Sequence, residues 1–419
     1  GEHGLPAAAA LNDDSENIPS NRSGNRPFRE VLTAAASRRA LLQGSLAAAA
    51  AGFLAPAALA GPQGAGRGRG GLVNFRELTI AEANVDRTMP SISADYEYQV
   101  LIPWGTPLSP GVVEYKGDPA RRPTSAEAAL QVGIGHDGMF YFPDDGPGRG
   151  KKIGRNSRAG VLCVNHEFGE TPHVLGKPAP TSLEDVRVMQ HVHGVSVVAI
   201  AEKFGTWNVV PSRFNRRIHV NTPVDFSGPA AASALLQNPA GNVALGTVNN
   251  CGSGPTPWGT YLTCEENFNG YFGATGAFAA TPEQARLGLN STGFGYAWHF
   301  FDERFDLSNP AFVNEANRFG WVVEIDPFDP LKKPVKRTAL GRFKHEAIAI
   351  GVAPDGRIAA YMGDDQTFDY CYKYISNRDW PSAIADGESP LDDGKLYVAR
   401  FNDDGTGDWL ELTISNPLL

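Results

Sequence analysis

Residues 352–365 read VAPDGRIAAYMGDD and contain the clearest strand pattern of the chain. Asp355 and Gly356 are typical tight-turn residues, and a mainly apolar run follows them. Two aspartates, Asp364 and Asp365, come directly after the run. A turn of this kind followed by a short apolar run is typical of a β-hairpin. The stretch therefore predicts a hairpin strand that ends in carboxylates.

The same pattern recurs along the chain from about Arg76 onward. Further Asp-Gly pairs stand at 393–394 and 404–405, and 47 glycines and 31 prolines are spread over the whole sequence. Only residues 281–287 have a convincing helical pattern. We therefore expect an all-β fold, namely a β-propeller, with a β-sandwich carrying long insertions as the main alternative. The apolar runs behind this expectation are residues 160–164, 195–200, 259–263, 320–325, 357–362 and 395–401.

The first 75 residues differ from the rest in composition. Residues 1–36 are expected to be disordered because they lack hydrophobic periodicity. Residues 37–60 contain Arg38-Arg39, an alanine-rich apolar run too short for a membrane anchor, and a small-x-small end. They resemble a twin-arginine signal, and residues 61–75 then form a linker. We expect export by the twin-arginine machinery to the periplasm or outside the cell, no permanent membrane span, and one domain over residues 76–419.

Charge and cysteine content narrow the possible functions. The formal net charge of −9 argues against nucleic acid binding, because the phosphate backbone would be repelled. A phosphorylated substrate is not excluded, since bound cations can invert the local field. The cysteines form no CxxC pair, so a zinc ribbon has no support. Disulfides, buried thiols and metal ligands all remain open for Cys163, Cys251, Cys264 and Cys371.

Acidic residues stand at the ends of four of the predicted strands. Adjacent carboxylates repel one another, and their desolvation beside a buried strand is costly, so a bound cation would offset both penalties. Carboxylate oxygens suit calcium, and carboxylate with thiolate or imidazole admits iron or zinc. Solvated turns or Asx-turns are the alternative for each segment. The segments are 163–167 (CVNHE), 263–267 (TCEEN), 344–346 (KHE) and 363–365 (GDD).

Basic residues accompany these acidic segments. His193 opens an apolar strand, and Arg216, Arg217, Arg342 and Lys344 lie within or near the same loops. Cations beside a metal cluster would help to hold a phosphate or a carboxylate. A structural histidine and unconnected surface charges are the alternative. The sequence contains no P-loop, dinucleotide fingerprint or G-x-S-x-G elbow, which weakens the NTPase, Rossmann and serine hydrolase interpretations.

Three motifs in this order resemble those of the PhoX-type alkaline phosphatases, which are exported bacterial phosphomonoesterases. They are residues 193–198 (HGVSVV), 257–267 (PWGTYLTCEEN) and 361–365 (YMGDD). The resemblance covers nearly the whole chain. It implies a β-propeller that carries a mixed centre of Fe³⁺ and Ca²⁺ on its axis, with a cysteine thiolate on iron.

The resemblance also assigns roles to individual residues. It implies Cys163 as the iron thiolate, with Cys251 as the less favoured alternative, and it implies Glu265 and Glu346 as shared carboxylates. Lys344 stands where the family has a basic residue suited to a phosphate oxygen, and His193 is the second catalytic candidate. The residues implied as calcium ligands or as support for the ligands are Glu167, Glu266, Asp364 and Asp365.

The implied function is a metal-dependent phosphomonoesterase that releases inorganic phosphate, with a metal-bound oxo or hydroxo group as nucleophile. We expect a monomer that serves phosphate acquisition. Family members usually continue beyond the point that matches Leu419, so a truncated member and a divergent short member are both open, with an incomplete propeller as the expectation in either case. A calcium-dependent propeller lactonase or phosphotriesterase, and a non-catalytic calcium-binding propeller, are the alternative functions.

Overall fold

The computed structural model describes residues 78–83, 90–146, 150 and 152–416. The predicted pre-signal region, signal and linker lie outside these residues. The larger of two compact units contains the described residues of 102–400 and 407–416, and the smaller contains those of 78–101 and 401–406. None of the helices in the described ranges has the length and apolar character needed to cross a membrane.

The described residues of the smaller unit contain one short helix and two tight turns, at residues 93–96 and 402–405. Helix α1 (Ile80–Ala83) begins after Thr79, whose hydroxyl oxygen accepts a hydrogen bond from the amide of Glu82 at 3.2 Å. In the second turn, the amide of Gly405 donates to the carbonyl oxygen of Asn402 at 3.0 Å, and Gly405 has a positive φ of 85°. The Asp-Gly turn predicted at residues 404–405 is therefore confirmed.

The larger unit has five α-helices in its described residues, all of them short. The predicted helix at residues 281–287 is confirmed as α5, which begins with a capping box between Thr281 and Gln284. The longest helix, α4, was not predicted, because its apolar residues alternate with polar and charged ones. It begins after Ser182, whose side chain accepts from the amide of Asp185 at 3.2 Å. The helices are α2 (Ser125–Ala128), α3 (Thr171–Leu175), α4 (Leu183–Val192), α5 (Pro282–Arg286) and α6 (Trp380–Ala385).

Sheet I is antiparallel, with strand order β1-β2-β3-β4, and β5 also pairs with β3. Its second strand is almost entirely buried, which follows from the run of apolar residues at 160–164. The strands are β1 (His136–Pro143), β2 (Ala159–His166), β3 (Gly194–Lys203), β4 (Thr206–Val209) and β5 (Arg216–Ile218).

Sheet II has the order β7-β6-β11-β10-β9-β8, in which β6 and β11 are parallel and the other pairs are antiparallel. Residues 266–321 leave the sheet between β9 and β10 and form α5 and several short 3₁₀ turns. The strands are β6 (Pro223–Ser227), β7 (Ala244–Leu245), β8 (Asn250–Pro255), β9 (Tyr261–Glu265), β10 (Val322–Ile325) and β11 (Val335–Arg337).

Sheet III contains the hairpin on which the fold prediction was based. The amide of Ala353 donates to the carbonyl oxygen of Arg357 at 2.9 Å, and Gly356 in the turn has a φ of 82°. The strands follow one another in sequence order, as in a meander. They are β12 (His345–Val352), β13 (Arg357–Asp364), β14 (Cys371–Asp379), β15 (Gly394–Phe401) and β16 (Gly407–Glu411).

The three sheets pack in sequence, and their edge strands β1, β8 and β12 lie close together. A Cβ atom on Gly138 of β1 would lie 2.7 Å from the carbonyl oxygen of Cys251 in β8. A Cβ atom on Gly252 of β8 would lie 2.4 Å from the carbonyl oxygen of Glu346 in β12. Only glycine permits such an approach of two backbones. The three sheets confirm the predicted strand-rich fold.

Two apolar layers hold the sheets together. One layer joins sheets I and II through residues such as Phe142, Val161 and Ile325. The other joins sheets II and III through residues such as Leu262 and Met362. The described residues form three separate sheets with no closed barrel, so a complete propeller is not confirmed.

Candidate metal centre

Three side chains at the junction of the sheets could hold a metal ion. Asp137 of β1, Glu167 directly after β2 and Cys251 of β8 each offer one ligand atom, and these atoms lie within 4.8 Å of one another. All three residues are half-buried. The pairing of β1 with β2 explains part of this geometry, because His136 lies opposite His166 and each acid directly follows one of these two histidines in the chain.

The backbone around Cys251 and Glu167 is held by partly buried hydrogen bonds. The side-chain amide of Asn165 donates to the carbonyl oxygens of Cys251 and Gly252, the latter at 3.0 Å. The amide of Glu167 donates to the carbonyl oxygen of Gly135 at 2.9 Å, and the hydroxyl of Tyr271 donates to that of Glu167 at 3.3 Å. Strands β2 and β8 are therefore fixed to one another at the site.

The electrostatic surroundings of Cys251 extend the group. Burial raises the pKa of its thiol, and the negative charges of Glu266, Glu167 and Asp137 raise the pKa further. Without a cation the thiol stays protonated, whereas a bound cation would favour the thiolate. The site therefore has the electrostatic character expected of a cation-binding centre.

Glu346 belongs to the same negative region. Burial raises its pKa, and the charge of Asp365, its hydrogen bond to Asp365 and the charge of Asp137 act in the same direction. We name the combined group the acidic cluster. Its members, contributed by all three sheets or the residues directly after their strands, are Asp137, Glu167, Cys251, Glu266, Glu346 and Asp365.

Four of the residues proposed from the sequence as metal ligands are members of the acidic cluster: Glu167, Glu266, Glu346 and Asp365. The other three lie elsewhere. Cys163 is fully buried in the apolar layer between sheets I and II, and burial raises the pKa of its thiol to about 12. The charged groups that act on this thiol are Arg216 and Asp326, which are not members of the cluster.

Glu265 and Asp364 each have a cationic partner. The carboxylate of Glu265 accepts from the ammonium group of Lys336 at 2.7 Å and from the amides of Gly320 and Trp321 at 3.0 and 3.1 Å. Asp364 forms an ion pair with Arg286 at 3.3 Å, although burial still raises its pKa to about 6. Both carboxylates thus already have structural partners.

The two proposed catalytic residues have different surroundings. Lys344 is buried, its ammonium group donates to the side-chain oxygen of Gln366 at 2.8 Å, and its carbonyl oxygen accepts from the amide of Asp365 at 3.1 Å. Lys344 therefore borders the acidic cluster. His193 is buried among aromatic rings, including Tyr271 and Trp298, and burial lowers its pKa to about 4.

Arg216 and Arg342, also singled out from the sequence, bind backbone carbonyl oxygens. Arg216 donates to the carbonyl oxygen of Asp326 at 2.7 Å, and Arg342 donates to those of Phe319 and Ala316, both at 2.8 Å. These contacts are structural. All four cysteines lie in the described part of the chain and are free thiols, so the disulfide alternative has no support.

Sequence reasoning missed Asp137 and Arg286. The pair Asp137-Gly138 has the form of one more Asp-Gly turn, and nothing in the sequence shows that a bulge in β1 brings this aspartate next to Glu167. Arg286 ends the short helix α5, and its guanidinium pairs with Asp369 at 2.9 Å as well as with Asp364. Its proximity to residues 364–369 depends on long-range packing.

The site and fold define a strand-rich protein with a candidate metal centre of carboxylates and one thiol where three sheets meet. The family model described as alkaline phosphatase PhoX matches residues 77–417. The chain belongs to the PhoX alkaline phosphatase family. This confirms the resemblance found in the sequence motifs.

A solved structure supports the same conclusion. The structure of Pseudomonas fluorescens PhoX in complex with vanadate, a transition state analogue, is 42% identical in sequence and superposes with a TM-score of 0.70. The match covers 77% of this chain and 56% of that chain, so this chain spans a little over half of the length of that relative. No curated protein matches the sequence.

Proposed function

We propose that this chain is a metal-dependent phosphomonoesterase, an alkaline phosphatase, whose reaction takes place at the acidic cluster. The observation that carries the proposal is the convergence of Asp137, Glu167 and Cys251 within 4.8 Å where three sheets meet. Membership of the PhoX family supports the same activity. A phosphate monoester is anionic, so a site built from acids requires cations to bind it.

The donor set fits Ca²⁺ and Fe³⁺, which we propose as the cofactors. Carboxylate oxygens suit calcium, and a thiolate together with carboxylates admits iron. Among the cysteines we propose Cys251 as the thiolate ligand in place of Cys163, and we propose Glu266 in place of Glu265. When bound, the ions would neutralise the charge that spreads over the phosphoryl oxygens and would activate the attacking water.

Lys344 is the side chain that we propose to bind the substrate. Its buried ammonium group has a neutral partner in Gln366 and borders Asp365, so it could donate a charge-assisted hydrogen bond to a phosphoryl oxygen. We propose a supporting role for His193, because its ring packs against Tyr271, whose hydroxyl bonds to the backbone of Glu167.

The propeller architecture, the export route and the location of the enzyme are also proposals. We propose that the three sheets are neighbouring blades of a β-propeller, which their sequential packing supports. We also propose that residues 37–60 direct export by the twin-arginine machinery to the periplasm or outside the cell, where the monomeric enzyme would release phosphate. A cluster filled during folding suits a route that exports folded proteins.

Hydrolysis of p-nitrophenyl phosphate at alkaline pH tests the proposal directly. The purified chain should release phosphate, and excess calcium chelator should abolish the activity. Parallel assays with a phosphotriester and a lactone separate the proposal from the alternative hydrolase functions. Full activity in excess chelator, or hydrolysis of only the triester or lactone, would contradict it. Calcium binding without hydrolysis of any substrate would favour a non-catalytic module.

A further inference from the structure

Arg217 of β5 is buried in an unusual way. It is 8% exposed, and no carboxylate of the described residues acts on its guanidinium. Its guanidinium donates to the hydroxyl of Ser196 at 2.8 Å and to the carbonyl oxygens of His191 and His193 at 2.9 and 2.6 Å. Burial of a guanidinium with neutral partners is costly, so the arrangement calls for a reason beyond packing.

The hydroxyl of Ser196, which accepts from Arg217, also forms a hydrogen bond with His166. Its oxygen lies 2.7 Å from Nε2 of His166, and the amide of Gly133 donates to the same nitrogen at 3.2 Å. Because an amide can only donate, Nε2 must be the acceptor, so the ring proton is inferred to lie on Nδ1. Arg217 therefore donates to Ser196, and Ser196 donates to His166.

The hydrogen bonds from Arg217 to Ser196 and from Ser196 to His166 end beside two members of the acidic cluster. His166 is the last residue of β2, and Glu167 follows it directly. Across the sheet His166 pairs with His136, the neighbour of Asp137, and the two imidazole rings pack edge to face with centroids 4.8 Å apart. A shift of the His166 ring would therefore move the backbone next to both Asp137 and Glu167.

The His166 ring has close neighbours on two sides. A Cβ atom on Gly133 would lie 2.6 Å from a ring carbon, so the backbone there is in close contact with the ring. On the other side, register pairs Ser196 of β3 with Arg217 of β5. The ring is therefore fixed by backbone on one side and by the Arg217–Ser196 hydrogen bond on the other.

We propose that Arg217, Ser196 and His166 are positioning residues for the acidic cluster. They hold the ends of β1 and β2 so that Asp137 and Glu167 keep their ligand oxygens within reach of Cys251. The activity readout of this inference rests on the proposed phosphatase function, whereas the binding readout does not. Residues that orient metal ligands typically change metal affinity or activity by about 10–100-fold when replaced.

The test compares Ser196→Ala with a matched control in sheet III. Ser376 is likewise a buried serine with two hydrogen bonds, since its hydroxyl accepts from the amide of Ile358 at 2.8 Å and donates to the carbonyl oxygen of Arg378 at 2.7 Å. The full chain and its variants are stripped of metal and titrated with Ca²⁺ by calorimetry. Melting temperature and the kcat and KM for p-nitrophenyl phosphate are then measured.

Ser196→Ala should bind Ca²⁺ about 10–100-fold more weakly and lose kcat by a similar factor with little change in KM. Ser376→Ala should lower the melting temperature to a similar extent but stay within about twofold of the wild type in Ca²⁺ affinity. Ser196→Thr, which keeps a hydroxyl, should restore most of the binding. Arg217→Lys should weaken binding, because one ammonium group cannot replace a guanidinium that serves three acceptors.

Several results would overturn the inference. Wild-type Ca²⁺ affinity in Ser196→Ala would do so, and so would an equal loss in Ser376→Ala, which would indicate general destabilisation. If the wild type hydrolyses no phosphomonoester but the affinity difference is found, the inference stands and the proposed function fails. If the wild type neither binds Ca²⁺ nor hydrolyses the ester, both are overturned.

Discussion

The acidic cluster and the ion-paired interior of sheet II both contain carboxylates, yet their pKa values are shifted in opposite directions. Burial alone would raise the pKa of Glu324, but Arg337 at 2.6 Å and the hydrogen bonds from Thr260 and Trp258 hold it below its usual value. Burial and the neighbouring acids together raise the pKa of Glu346.

The difference separates structural charge from functional charge. An interior carboxylate with an arginine or lysine beside it contributes to one folded state and needs nothing more. A carboxylate surrounded by other acids is unfavourable until a cation binds. The two regions should therefore respond differently to the loss of a single side chain.

The largest effect is expected from Cys251→Ala. Loss of the thiol ligand should lower phosphatase activity on the order of a thousand-fold, because metal ions supply several kcal/mol of transition-state stabilisation. The free energy of unfolding of the metal-free protein should change little. Steady-state kinetics and metal analysis of the variant check both points. An active variant with full metal content would contradict the role of Cys251.

The next largest effect is expected from Arg337→Met in the ion-paired interior. Removal of the guanidinium leaves Glu324 buried without its cation and should cost about 3 kcal/mol or more in unfolding free energy. Urea unfolding measures this cost, and Glu324→Gln in the same chain should recover part of it. A stability equal to that of the wild type would show that the two regions do not differ as described.

His193 tests the interior through pH. Burial lowers its pKa from 6.5 to about 4, so between these values the unfolded chain binds more protons than the folded chain. Stability should therefore fall as the pH drops from about 6.5 to about 4, by up to about 3 kcal/mol from this residue. In His193→Gln this part of the acid sensitivity should disappear. Identical pH profiles of the unfolding free energy in the wild type and in His193→Gln would contradict the lowered pKa of His193.

The smallest effect is expected from Cys163→Ala. This thiol is fully buried in the layer between sheets I and II, so its loss should cost about 1 kcal/mol in stability. Phosphatase activity of the folded variant should stay within about twofold of the wild type. A loss as large as that of Cys251→Ala would return the ligand role to Cys163.

Local signals in the sequence predicted a large part of the fold. The Asp-Gly turns at residues 355–356 and 404–405 and the capped helix α5 formed as expected, because each depends on residues close together in the chain. Helix α4 was missed because its apolar residues alternate with polar and charged ones, including the buried Gln190. Closure of the propeller depends on contacts between distant segments and remains a prediction.

The site was harder to predict because its composition depends on strand register and on the side of the strand to which each side chain points. Glu265 and Glu266 are neighbours, but side chains of an extended segment alternate, so Glu265 meets Lys336 while Glu266 acts on Cys251. Cys163 lies within β2 and faces the apolar layer, whereas Cys251 lies on the edge strand β8 at the junction. Sequence patterns show that such residues end or occupy strands, but not which face each one takes.

X-ray absorption at the iron edge of the full, metal-loaded chain distinguishes Cys251 from Cys163 as the thiolate ligand. We expect one sulfur ligand on iron in the wild type and in Cys163→Ala, and no sulfur ligand in Cys251→Ala. A sulfur ligand that persists in Cys251→Ala, or that disappears in Cys163→Ala, would contradict this expectation.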